Sequence, residues 1–163
     1  MLVVADTSVL INLCRIGQEE LLAALFREVW IPMAVEAEFV RLAAQVPRFR
    51  GLTCPAWIHR GSPAGIPPEL SGNAKLDLGE RQAIALALEM SADAVLMDES
   101  AGRIAVIRLG LEFIGVAGIL LRAKQGALIS AVGPIIERLE AEAHFWLAQP
   151  FREHVLRLAG EAP

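Results

Sequence analysis

Ala94-Val95-Leu96-Met97-Asp98-Glu99-Ser100 decides the fold. Apolar residues of strand character run straight into a carboxylate, and small and polar residues able to start a helix follow it. Leu2-Val3-Val4-Ala5-Asp6-Thr7-Ser8 repeats this grammar at the start of the chain. Two such turns predict an α/β protein with a mostly parallel sheet. Asp6 and Asp98 are then expected side by side at the carboxyl edge of the strands, the usual ligand position in open α/β folds.

Between these turns the chain alternates elements. Thr7 and Ser8 are good N-cap residues for a helix carrying Val9, Leu10, Ile11 and Leu13, closed by Gly17. Residues 19–26 read as a second amphipathic helix and Val29-Trp30-Ile31 as a short buried strand. Pro32 then opens a helix whose apolar stripe is Val35, Phe39 and Leu42. Glu38 lies at this stripe, whereas Glu36 is about 200° around the helix. Glu38 is therefore expected inward and Glu36 more solvated.

From residue 45 to 77 the composition shifts to proline and glycine, an irregular insertion with one strand expected at 56–59. Arg48, Arg50, His59, Arg60 and Trp57 give it positive charge and an aromatic ring, a combination that suits a phosphate backbone and a base as well as it suits scattered surface charge. Residues 81–90 form an amphipathic helix with Glu80 in its first turn. After Asp98 come a helix from Gly102, a short strand at 112–116, a helix at 117–124, and one long amphipathic helix at 134–148. A helical segment at 151–158 ends the chain. The whole reads as one domain, 1–163, with a helical extension from 134 to 163.

With 55% apolar residues and a mean hydropathy of +0.47, the chain is expected to cover its sheet on both faces or to bury a sizeable subunit interface, a homodimer being the simpler explanation. No apolar run reaches the roughly 18–20 residues of a spanning helix, and no basic n-region precedes Asp6, so a cytoplasmic protein is expected. Cys14 and Cys54 lie in no metal-ligand pattern. A formal net charge of −4 argues against a general nucleic-acid binder, although an acidic site adds to that deficit and a bound cation reverses its sign locally.

Only four aspartates occur, and two of them end predicted core strands. Crowded carboxylates repel unless protonated or neutralised, and oxygen donors suit the hard cations Mg²⁺ or Mn²⁺. Such a site activates water for in-line attack on a phosphodiester. Nucleophile-elbow, P-loop and GxGxxG patterns are absent from the sequence, and serine at position 8 breaks the haloacid dehalogenase pattern.

Residues 4–13, Ile31-Pro32-x-Ala34-Val35-x-x-Glu38, the stretch Leu78-Gly79-Glu80 through Ala87, and Leu96-Met97-Asp98-Glu99-x-x-Gly102-Arg103 resemble, in order, the acidic motifs of PIN-domain ribonucleases. Residues 115–126 resemble the carboxyl-terminal half of the subgroup close to VapC-like toxins of prokaryotic toxin–antitoxin modules. The resemblance implies a three-layer α/β/α domain and a metal-dependent endoribonuclease acting on RNA. Asp6, Glu38, Glu80 and Asp98 would be the catalytic carboxylates binding Mg²⁺ or Mn²⁺, and a small antitoxin the protein partner. Ser8 would line the first aspartate's turn, Glu99 would be an alternative ligand, and Arg103 a phosphate contact. Glu80 stands where many toxin members carry aspartate. The alternative is a catalytically silent PIN-like scaffold that binds protein or RNA.

Overall fold

The computed structural model describes residues 1–161, so the last two residues of the extension lie outside it. Its centre is a five-stranded, all-parallel sheet in the order β3-β2-β1-β4-β5. The strands are β1 (Leu2–Ala5), β2 (Glu28–Pro32), β3 (His59–Gly61), β4 (Ala94–Leu96) and β5 (Phe113–Ile114). Chain order runs outward from β1 through β2 to β3, then returns to place β4 on the other side of β1. This reversal opens a crevice at the carboxyl ends of β1 and β4, where Ala5 pairs with Leu96. Asp6 and Asp98 follow those strand ends, and the Asp6 amide still donates to the Leu96 carbonyl at 2.9 Å.

Helices cover both faces, and strand alternation decides which residues meet them. Val3, Ala5, Val29, Ile31, Ala94 and Leu96 face one core, with α1 (Thr7–Arg15), α2 (Glu20–Leu25), α3 (Met33–Gln45) and α7 (Val116–Gln125). Val4, Trp30 and Val95 face the other, with α4 (Pro68–Ser71), α5 (Leu78–Glu89) and α6 (Ser100–Arg108). A sheet buried on both sides uses the high apolar content, as all-parallel sheets do. No helix among the described residues is long and apolar enough to cross a membrane.

Four local expectations need correction. Thr7 and Ser8 lie inside α1, and Asp6 occupies the N-cap position without a side-chain cap bond. The insertion's strand is 59–61 rather than 56–59, because residues 56–57 turn and only His59 to Gly61 reach the register of Trp30 to Pro32. Glu36 is no more solvated than Glu38, both side chains being 27% exposed, because the insertion folds back and the Arg60 Nε donates to Glu36 Oε1 at 2.9 Å.

The long helix at 134–148 is the fourth. It is instead α8 (Gly133–Arg138), a π turn at Leu139–Ala143 and an extended run, followed by α9 (Gln149–Leu158). His144, left-handed at φ 55°, makes the break. From 144 to 148 exposed and half-buried residues alternate, as in an extended run. Pro150 gives a local reason for the new start: it has no N–H for a continuing helix but fits the first turn of a new one.

Arg48, Trp57 and His59 of the insertion serve its own docking. Arg48 donates to the Ala143 carbonyl at 3.0 Å, Trp57 Nε1 donates to Glu20 at 3.0 Å, and His59 stacks on Trp30 at 4.9 Å between centroids.

Candidate active site

Three elements bring carboxylates to one cleft. Asp6 comes from the end of β1, Glu38 from the second turn of α3, and Glu80 from the first turn of α5; together they line a cavity of about 360 Å³ at the β1–β4 crevice. Ser8, Asp77, Glu99 and Lys75 line it too.

Asp6 is held without being satisfied. Only 4% of its surface is exposed, Ser8 Oγ donates to Oδ2 at 3.1 Å, and Oδ1 is buried with no hydrogen-bond partner. Such an orphaned acceptor costs free energy in the folded state. Burial pushes the Asp6 carboxyl up to about 7; the Thr7 amide and the Ser8 hydroxyl oppose it, and the charges of Asp77 and Glu80 add to it.

Glu38 accepts a bond from Thr7 Oγ1 at 2.6 Å, and Arg41 pairs with its other oxygen at 3.3 Å. Helical phase therefore identified the inward glutamate, and α1 supplies its donor. Glu80, 4% exposed, sits in a reciprocal capping box: its amide donates to Asp77 Oδ1 at 2.8 Å and its Oε2 accepts from the Asp77 amide at 2.9 Å. Burial raises its carboxyl above the usual range. One Glu80 oxygen thus has a structural partner, while Oε1 lies against Gly102, where a β-carbon would stand 2.9 Å from it. Asp77→Ala removes one half of the box and is expected to cost about 1 kcal/mol of stability, read from chemical denaturation.

Asp98 is placed differently. Its carboxylate turns to the start of α7 and accepts the Val116 amide at 3.2 Å to each oxygen. A β-carbon at Gly115 would collide with Oδ1, so this approach needs glycine there. Asp98 lines the two neighbouring cavities and not the cleft of Asp6, Glu38 and Glu80. Burial pushes it up to about 6, against the lowering influence of the Val116 amide and Arg103. Glu99, the N-cap residue of α6, lines both the acidic cleft and the cavity beside it. Arg103 stands with Asp98, outside the acidic cleft.

Among the described residues no three carboxylate, imidazole or thiol side chains stand at ligating spacing. Hydrogen bonds account for the separation: Glu38 leans to Thr7, Glu80 to the Asp77 amide and Asp98 to the Val116 amide. Repulsion among like charges favours such outward donors. The donor chemistry nevertheless fits a hard divalent cation, because every candidate is a carboxylate and Asp6 Oδ1 is a buried oxygen left without a proton donor.

The cleft roles of Thr7 and Asp77 go beyond the sequence expectations: Thr7 is a cap candidate there and Asp77 has no role, although the capping pattern Asp77-x-x-Glu80 before an apolar run is a local signal for it. Lys75 brings a cation to the cleft from a loop whose path no local pattern gives.

A family model described as a PIN domain matches residues 2–161. Comparison with curated proteins found no match.

Proposed function

The chain belongs to the PIN-domain family, and from that premise we propose that it is a cytoplasmic, metal-dependent endoribonuclease, the toxin of a toxin–antitoxin pair. The observation that carries the reading is the convergence of Asp6, Glu38 and Glu80 from three elements on one cleft, with a buried Asp6 oxygen left unpartnered. Fold stability gives no reason for such a group, since each buried carboxylate costs free energy until something neutralises it. A bound Mg²⁺ or Mn²⁺ would supply that charge and the Lewis acidity that hydrolysis of a phosphodiester needs.

The chain's own residues do the rest. Asp6, Glu38 and Glu80 would hold the cation from the cleft, and Asp98, which now accepts the Val116 amide, would be the fourth carboxylate. Ser8 orients Asp6 through its hydroxyl, and Thr7 does the same for Glu38. Glu99 is an alternative ligand, and Arg103 contacts the strand beside the scissile phosphate. The single domain works as a homodimer, its antitoxin being a small protein that covers the acidic cleft.

Addition of Mg²⁺ or Mn²⁺ to chelator-treated protein is expected to raise the thermal midpoint, as any ligand of the folded state does. Glu80→Gln is expected to lose most of that rise. The same cation is expected to switch on cleavage of single-stranded RNA, and chelator to switch it off. One observation favours the silent scaffold as a second reading: Asp98 stands outside the cleft that holds the other three carboxylates. A midpoint and an RNA substrate that both ignore the cations would establish it.

A further inference from the structure

Next to the acidic cleft, with Glu99 as the shared wall, lies a second cavity of about 360 Å³ lined by Asp98, Arg103, Phe145, Trp146 and Phe151. Its outer side is the run that breaks the expected helix. The π turn at Leu139–Ala143 and left-handed His144 change the direction of the chain, and the extended residues after them carry Trp146 outward. Single π turns recur at functional sites, and non-glycine residues rarely adopt the left-handed conformation.

Trp146 is 65% exposed, and its ring stacks on His144 with centroids 5.7 Å apart and planes 28° apart. Phe151, 45% exposed, stands on the same wall. Across the cavity the Arg103 guanidinium lies 5.6 Å over the Phe113 ring. An exposed aromatic face, a cation and two strand-end carboxylates thus border one hollow beside the cleft. The carboxylates Asp98 and Glu99 keep an uncompensated phosphate out of it, whereas the flat, uncharged face of a base meets no such opposition.

We propose that Trp146 is a stacking platform for one unpaired base of the substrate strand, next to the scissile phosphate, with Arg103 contacting the adjoining phosphate. The inference rests on the nuclease reading and deepens it: it assigns the side chain that receives an unpaired base beside the cleft. A paired base has both faces covered by its neighbours and has no free face to offer Trp146. Stacking on an aromatic side chain tolerates any base, so the platform sets strandedness rather than sequence.

The test measures binding and turnover separately. Binding of a fluorescein-labelled single-stranded RNA 12-mer is read by anisotropy in Mg²⁺ and in chelator, beside its duplex, for wild type, Trp146→Ala and Trp146→Phe. Trp146→Ala is expected to weaken single-strand binding about tenfold or more, the scale of one lost base–aromatic stack, while Trp146→Phe stays within about threefold of wild type. In cleavage assays Trp146→Ala is expected to raise KM by the same factor and leave kcat nearly unchanged. Since Trp146 is exposed, its thermal midpoint is expected to match wild type, which separates a binding defect from unfolding.

Unchanged binding by Trp146→Ala overturns the platform and leaves the nuclease reading intact. Equal loss on single strand and duplex overturns it as well, since stacking on an unpaired base requires the difference. A variant that binds RNA normally but sediments as a smaller species assigns the face to a second copy of the chain, which also overturns it. Wild type that binds the single strand through Trp146 and cleaves nothing upholds the platform and removes the nuclease reading.

Discussion

Asp6→Asn is expected to lower kcat/KM for cleavage of single-stranded RNA in Mg²⁺ by about 10³-fold. Asparagine keeps the shape of aspartate and the Ser8 contact, but it removes the charge at the one cleft carboxylate whose Oδ1 is buried and unpartnered. The magnitude follows from the several kcal/mol a catalytic cation contributes to charge stabilisation, about 4 kcal/mol corresponding to roughly 10³ in rate. Steady-state kinetics with the variant and wild type purified in parallel checks it. A loss smaller than about tenfold, with the thermal response to Mg²⁺ retained, moves the chemistry away from Asp6.

The second large effect is on stability and needs no substrate. In chelator, wild type is expected to become less stable by about 3 kcal/mol between pH 5 and pH 8, through Asp6 alone. Its carboxyl stands at about 7 in the folded protein against 3.8 ordinarily, so the folded state binds the proton more tightly than the unfolded chain does. The stability this confers is fully present below about pH 4, falls as pH rises, and is gone once pH has passed through about 7. Asp98, pushed up to about 6, and Glu80, raised by burial, act in the same direction. Glu161 acts the other way: its lowered carboxyl, held by the Val132 and Gly133 amides, contributes stability that is lost as pH falls.

Urea titrations at pH 5 and pH 8 read this difference directly. Asp6→Asn is expected to be the more stable protein at pH 8 in chelator and to show a flatter pH dependence. Saturating Mg²⁺ is expected to return stability to wild type at pH 8 and to do little for the variant. Burial of a charge and release of that cost by a cation are one effect seen from two sides. A wild type whose stability is the same at both pH values, with or without cation, contradicts it.

Much of the site's position was legible in the chain. Apolar runs ending in Asp6 and Asp98 determined two parallel strands and their shared edge, because alternation and burial are written locally and a parallel pair needs a crossover between them. Helical phase separated Glu38 from Glu36 as the glutamate that faces the cleft, since three- and four-residue neighbours share a face whatever the tertiary setting. Glu80 and Asp77 were readable as a capping pair from their spacing alone.

Other features depended on contacts between residues far apart in sequence. Nothing near Asp98 shows that its carboxylate will meet the Val116 amide, eighteen positions on, because that partner exists only after β5 and α7 have packed beside β4. Glu36 looked solvated until Arg60 arrived across the insertion, and Glu38 found its donor on α1, 31 positions away. The break after Ala143 had one local signal, Pro150, but an amphipathic helix pattern overlay it. The sequence by itself determined which carboxylates could converge, through period and strand ends. Tertiary structure alone decided which of them share a cleft, because hydrogen-bond partners and burial are properties of distance in space and not of distance along the chain.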